Sequence, residues 1–165
     1  MSPETIIWSL IAASTASCLV AGVFLSFSDF TMRSLNLATR EAASQTMQIL
    51  NREVFRSAFI VLLVGMAPVA VIIGGLAVVW PLQTGLEEII LGSLSYILGV
   101  FCVTMFGNVP KNKKLAAMAD GSPEAQTYWP TYYKGWMFWN HVRMIFSLAT
   151  ALCYMDAAVL IAIAL

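Results

Sequence analysis

The sequence predicts an all-α protein: a four-helix transmembrane bundle with both termini outside and two longer cytoplasmic loops. Composition is the first reason. Hydrophobic residues make up 59% of the 165 and charged residues 11%, against roughly 45–50% and about 25% in a soluble domain. A globule this small has too little interior to hide that excess, and the mean hydropathy of +0.79 agrees. The second reason is spacing between charges. Residues 5–28, 57–86 and 89–110 carry no charge, and each run reaches the roughly 20 residues that span a bilayer core. The third is the placement of cations, taken up after the helices.

The first helix, about 4–32, opens on Ser2-Pro3-Glu4, which supplies a cap, a proline at the first helical position and an acid in the first turn. With no positive segment before it, this stretch reads as a retained anchor. In the first connection, Ser34 to Glu53, Met47, Leu50 and Val54 recur at helical spacing, so it is expected to extend the second helix or lie along the membrane face. The second helix, about 55–80, contains Pro68 and Gly74-Gly75, the marks of a kink and of close packing. The third covers about 87–108. The connection after it, Asn108 to Lys134, is expected to break at Pro110 and again at Asp120-Gly121-Ser122-Pro123, with Ser122 capping a short helix that starts at Pro123. The fourth helix, about 135–164, carries His141, Arg143 and Asp156, so it inserts only where those groups meet an interface or other helices. Trp129, Tyr132, Tyr133, Trp136 and Trp139 form an aromatic girdle before and within it.

Arg33, Arg40, Arg52 and Arg56 flank the first connection, and Lys111, Lys113, Lys114 and Lys134 the third. By the positive-inside rule both loops are cytoplasmic. The whole chain, 1–165, forms one transmembrane domain in contact with lipid, and a bacterial inner membrane is the expected location. Nine Lys+Arg balance nine Asp+Glu, so no basic field exists for nucleic acid. Cys18, Cys102 and Cys153 lie far apart in apolar stretches and read as packing residues. His141 is the single histidine, and no metal-spaced cluster, phosphate loop or nucleophile elbow occurs.

Polar groups from three helices reach one depth. Ser26, Asp29, Arg33 and Asn36 share a face of the first helix at its cytoplasmic end, the third helix brings Thr104 and Asn108, and the fourth brings Trp136, Asn140, Arg143 and Ser147. A charge unpaired in hydrocarbon costs at least about 2.5–3.5 kcal/mol, so Asp29 is expected to pair with Arg143 or Arg33. Two readings follow: an interfacial clamp that sets helix register, or a cytoplasm-facing pocket walled by Trp136, Trp139 and Phe106 with Asn108, Asn140 and Arg143 as anchors. His141 is about 100° around the helix from Asn140, and as the one titratable imidazole it is the best general-base candidate. Asp156, about 20 Å beyond Arg143 along a helix, belongs to the other leaflet and is expected to accept hydrogen bonds from Tyr96 or Ser93.

Four segments then carry a resemblance: Gly22-Val23-Phe24-Leu25-Ser26-Phe27-Ser28-Asp29-Phe30, Met47-Gln48-Ile49-Leu50-Asn51-Arg52, Gly107-Asn108-Val109-Pro110-Lys111-Asn112, and Trp136 with Trp139-Asn140-His141-Val142-Arg143. In this order and spacing the chain resembles the anthrone-oxygenase-like family of small integral membrane proteins, a domain-of-unknown-function family, over roughly residues 20–150. Arg33 stands where a proline is common, and Lys111, Lys113 and Lys114 make the third connection more basic. Fungal relatives are associated with oxidising polyketide anthrones to anthraquinones. The resemblance implies a cofactor-free oxygenase acting on a polycyclic or quinone-like aromatic. His141 would be the base, Asn108, Asn140 and Arg143 the oxyanion donors, and Trp136 and Trp139 the walls, with Asp29 and Phe106 beside them. Alternatives from other classes are a hydrophobic-ligand binder, and a homo-oligomeric or accessory subunit of a larger membrane complex.

Overall fold

A computed structural model describes residues 2–80, 82 and 84–165, most of which are helical, with no strand among them. Helix α1, Pro3–Leu37, starts where the sequence places it: the Thr5 amide donates to Ser2 Oγ at 3.3 Å. It runs on to Leu37 through a π-helical turn at Phe27–Thr31. Helix α2, Arg40–Glu53, is capped by Thr39. A 3₁₀ turn, Val54–Arg56, and the extended Ser57 separate it from α3, Ala58–Val79. Helix α4, Leu86–Ala116, contains π-helical stretches at Ser95–Cys102 and Thr104–Asn108, and α5, Pro123–Ile163, follows. Helices α1, α3, α4 and α5 are long and apolar enough to cross a membrane.

Three expected boundaries change. The first connection does not extend the second helix: α2 is a separate helix, because Ser57 takes an extended conformation and its Oγ caps α3 through the Ile60 amide. The break at Pro110 does not occur. A proline is tolerated at the first positions of a turn, and the π-helical stretch ending at Asn108 leaves Pro110 at such a position in a helix that runs on to Ala116. Nor are there two helices after Ser122. Its Oγ does accept from the Ala125 amide, but the helix it caps continues unbroken through Pro130 to Ile163.

The four long helices form a ring in which α1 and α5 pack antiparallel, α4 flanks α5, and α3 closes the ring between α4 and α1. Small residues hold the first pair close: Ser14 Oγ donates to the Ala151 carbonyl at 2.7 Å. Leu10, Val20, Phe24, Leu63, Val100 and Tyr154 fill the interior. Outward-facing Val61, Val71, Val78, Leu98 and Leu152 are exposed, as a lipid-facing surface requires. Gly74 supports the close-packing expectation, since a Cβ there would sit 2.9 Å from Ser93 Oγ.

At 1.5 Å per residue, the 41 residues of α5 extend about 60 Å, twice the roughly 30 Å hydrocarbon core. It is therefore longer than a bilayer span needs, and α2 packs against its amino-terminal half. Met32, Met47, Leu115, Trp129, Tyr132 and Trp136 bury together there as a second core. Gln48 ties this cap to the loop before α5: its Nε2 donates to the Leu115 and Met118 carbonyls at 2.9 and 3.0 Å, and its Oε1 accepts from the Gly121 amide at 3.1 Å. Gly121 turns there with φ +64, a conformation that costs a side-chain-bearing residue. Outside the loop's core, Arg52 grips Asp120 through two hydrogen bonds of 2.9 and 2.7 Å. Each partner holds the other charged, so the Asp120 carboxyl lies below its usual range and the Arg52 guanidinium above.

Candidate functional site

A cavity of about 370 Å³ opens where the bundle meets its cap, within the 300–1,000 Å³ span of small-molecule sites. Every long helix and α2 contribute. Val23, Phe24 and Phe27 come from α1, Met47, Leu50, Asn51 and Glu53 from α2, and Phe59, Ile60 and Leu63 from α3. Thr104, Val109 and Asn112 come from α4, and Trp136, Asn140 and Arg143 from α5. The wall is apolar and aromatic over most of its area, with polar groups at few points.

The deepest of these polar groups depends on an irregular turn in α1. A π-helical turn widens a helix by one residue and loosens the carbonyl ladder beside it. Next to such a turn, Asn140 Nδ2 donates to the Phe24 carbonyl and to Ser28 Oγ, both at 2.8 Å. With its amide nitrogen so engaged, Asn140 presents Oδ1 to Arg143 Nη2 at 2.8 Å. The guanidinium lies 4.2 Å from the Phe24 ring centroid and 5.3 Å from that of Trp136, in the geometry of cation–π attraction. Arg143 is 5% exposed. Among the described residues the ion pairs are Arg52–Asp120 and Arg56–Glu53; Arg143 takes part in neither. Among the described residues its Nε, like the indole Nε1 of the buried Trp136, has no hydrogen-bond partner. On the α2 side, Tyr132 receives a 3.4 Å hydrogen bond from Asn51 Nδ2 and donates to Asn112 Oδ1 at 2.8 Å.

Of the sequence-predicted site residues, Trp136, Asn140 and Arg143 line this cavity. Asn108 stands just behind: it is buried and donates from Nδ2 to the Trp136 carbonyl at 3.2 Å. Trp139 is elsewhere. It lies on the backbone of α4, where a Cβ at Gly107 would come within 2.7 Å of its ring, and packs edge-on against Phe138. Phe106 is 81% exposed on the outside of α4, and Asp29 and His141 are exposed too.

The expected pairing of Asp29 with Arg143 or Arg33 is absent. Asp29 lies inside the π-helical turn, whose extra residue rotates later positions by about 100° from α-helical phase, and Ser28 takes the inward place. Asp156 likewise accepts nothing from Tyr96 or Ser93. Those hydroxyls are engaged, Tyr96 donating to the Leu63 carbonyl and Ser93 hydrogen-bonded to the Tyr154 hydroxyl, each at 2.9 Å.

Asn51, Glu53, Ser57 and Asn112 on the cavity wall, and Ser28 against Asn140, are polar residues that sequence reasoning gave no role. Ser28, Asn51 and Asn112 fall inside the segments that carried the family resemblance, which was the available signal. Glu53 had none beyond its place beside the second of them.

No curated protein and no solved structure matches the chain. The description of the family that does match is anthrone oxygenase, and the match covers residues 52–153. That range takes in α3, α4 and the stretch of α5 bearing Trp136, Asn140 and Arg143. With most of the chain matched, this protein belongs to the anthrone oxygenase family.

Proposed function

We propose that this protein is an integral membrane, cofactor-free oxygenase that converts the ring CH2 of an anthrone-type polycyclic aromatic to a carbonyl, using dioxygen in a cytoplasm-facing cavity. The observation that carries this reading is the buried Asn140–Arg143 pair on the wall of an aromatic-lined cavity in a chain of this family. Cations gather at the cap end, which the positive-inside rule assigns to the cytoplasm.

Loss of a proton from the CH2 gives a carbanion whose charge spreads onto the ring oxygen. Arg143 stabilises that oxygen, and such preorganised donors in a dry site lower the barrier most where charge develops. Glu53, the one carboxylate on the cavity wall, accepts the proton in place of the outward-facing His141. The carbanion passes one electron to dioxygen, and the resulting radical and superoxide join in a C–O bond. The proton held by Glu53 completes the hydroperoxide, and cleavage of its O–O bond with loss of the remaining C–H proton leaves the carbonyl and one water. Overall one CH2 and one O2 yield one C=O and one H2O, so the substrate supplies every electron.

The test is oxygen uptake by the protein in lipid nanodiscs supplied with anthrone. Uptake equal to the anthraquinone formed is expected, falling about 10²–10³-fold in Arg143→Gln. A wild-type rate no faster than protein-free nanodiscs would sink the reading.

A further inference from the structure

The exposure of the cavity's lining residues shows where it opens. Among them Glu53 and Phe55 are exposed and the others are buried or half-buried, so the mouth lies at the α2–α3 junction. Elsewhere the walls are tied together. Asn51, Tyr132 and Asn112 link α2, α5 and α4 by hydrogen bonds, Gln48 and Arg52 fasten α2 to the loop before α5, and Phe59 meets Phe24 edge-on at 5.5 Å, joining α3 to α1. The depth of the mouth follows from helix length. The 22 residues of α3 rise about 33 Å, little more than the roughly 30 Å hydrocarbon core needs. Helices α1, α4 and α5 have 35, 31 and 41 residues and send Met32, Leu115 and Trp129 on into the cap. With no length to spare, α3 puts Ala58 at the hydrocarbon edge and Phe55 among the headgroups. Phe59, Ile60 and Leu63 on the same helix carry the cavity about 8 Å into the hydrocarbon.

We infer that the cavity is loaded sideways from the bilayer: a lipophilic ligand dissolved in the leaflet on the cap side enters past Phe55, between the end of α2 and the start of α3. Phe55 is 74% exposed, which is unfavourable in water and suits a ring at headgroup depth. Arg56 beside it is long enough to keep its charge at the phosphates. Glu53, which lies 3.7 Å from Arg56, marks the wet side of the same opening. Loading from lipid also suits the walls. An apolar, aromatic lining favours a molecule that is concentrated in the bilayer and scarce in water, and entry at the mouth avoids a passage through the closed cap. The inference rests on this cavity being the ligand site of the proposed function and needs no turnover.

Two measurements test it, on full-length protein carrying Cys18→Ala, Cys102→Ala and Cys153→Ala in phosphatidylcholine nanodiscs. A nitroxide on Phe55→Cys should relax more with oxygen, which concentrates in lipid, than with a water-soluble nickel chelate. One on Ala119→Cys, exposed in the loop before α5, should show the reverse. Pyrene then reports passage, through the saturable part of its energy transfer from the tryptophans. N-benzylmaleimide attached to Phe55→Cys after reconstitution should slow binding and release of pyrene together by about tenfold or more with Kd unchanged, as blocking a passage does. On Ala119→Cys it should leave both rates alone. If the chain without native cysteines does not fold, Phe55→Arg in the native sequence should slow both rates in the same way. A nitroxide at position 55 that behaves like the one at 119 overturns the inference. So do unchanged rates on blocking 55, slowing on blocking 119, absence of saturable transfer, and a changed Kd with release unaltered, which would make Phe55 a wall. Slowed loading without anthrone oxidation upholds the passage and ends the oxidation reading, and oxidation with unaltered rates does the reverse.

Discussion

Asn140 and His141 are neighbours in sequence and face opposite environments. A step of about 100° along α5 turns one into the bundle, where it binds Phe24 and Ser28, and the other to the exposed surface. Residues that read as a single cluster in the sequence are thereby divided, and the proposed mechanism takes its proton acceptor, Glu53, from another element. The consequence is measurable without oxygen. In anaerobic deuterium oxide, wild-type protein should accelerate hydrogen exchange at the anthrone CH2. Glu53→Gln should lose about 10²–10⁴ of that acceleration, while His141→Ala keeps it. Exchange that survives in Glu53→Gln and vanishes in His141→Ala would return the role to the histidine.

At the scale of elements, irregular helix is what aims the site. The π-helical turn at Phe27–Thr31 puts Ser28 rather than Asp29 against Asn140, and the 3₁₀ turn at Val54–Arg56 ends α2 so that Glu53, Phe55 and Ser57 all border the cavity. Helix α2 holds its place through Gln48 and through Arg52 on Asp120. The ion pair adds a pH dependence. Asp120 has its proton affinity lowered in the folded cap by Arg52, so the pair contributes above the ordinary carboxylate range and is lost as pH falls through the depressed value. Protection of the Gly121 amide, which donates to Gln48, should therefore drop in acid in wild-type protein. In Asp120→Asn it should be low at both neutral and acid pH. A protection factor that ignores both acid and the substitution would show that the pair does not secure the loop.

For the whole molecule, the long α5 sets the plan, because it contacts α1, α2 and α4 and reaches from the far end of the ring to the cap. The cavity lies at the step between the ring and the cap, where apolar wall and polar groups can coexist. Membrane orientation then decides which side supplies ligand. With native cysteines replaced, a single Cys at Ala119 should react with an impermeant maleimide only in inverted vesicles, and one at Ser2 only in intact cells. Labelling of Ala119→Cys in intact cells would reverse the proposed topology.

The four spans, the caps at Ser2 and Ser122 and the gathering of Asn140, Arg143 and Trp136 at one depth were legible in the sequence. The reason is that bilayer insertion demands long uncharged runs, and helical periodicity places residues separated by three, four or seven positions on one face. The docking of α2, the engagement of Ser28, the inclusion of Glu53, the outward turn of Asp29 and Phe106 and the seating of Trp139 on α4 were decided by tertiary structure alone. Each rests on a helix leaving ideal phase or on packing between residues distant in the chain: Asn140 meets Phe24, Gln48 meets Gly121, and Trp139 lies on Gly107. Periodicity counts residues along one helix, and neither the extra residue of a π-helical turn nor the neighbour across an interface enters that count.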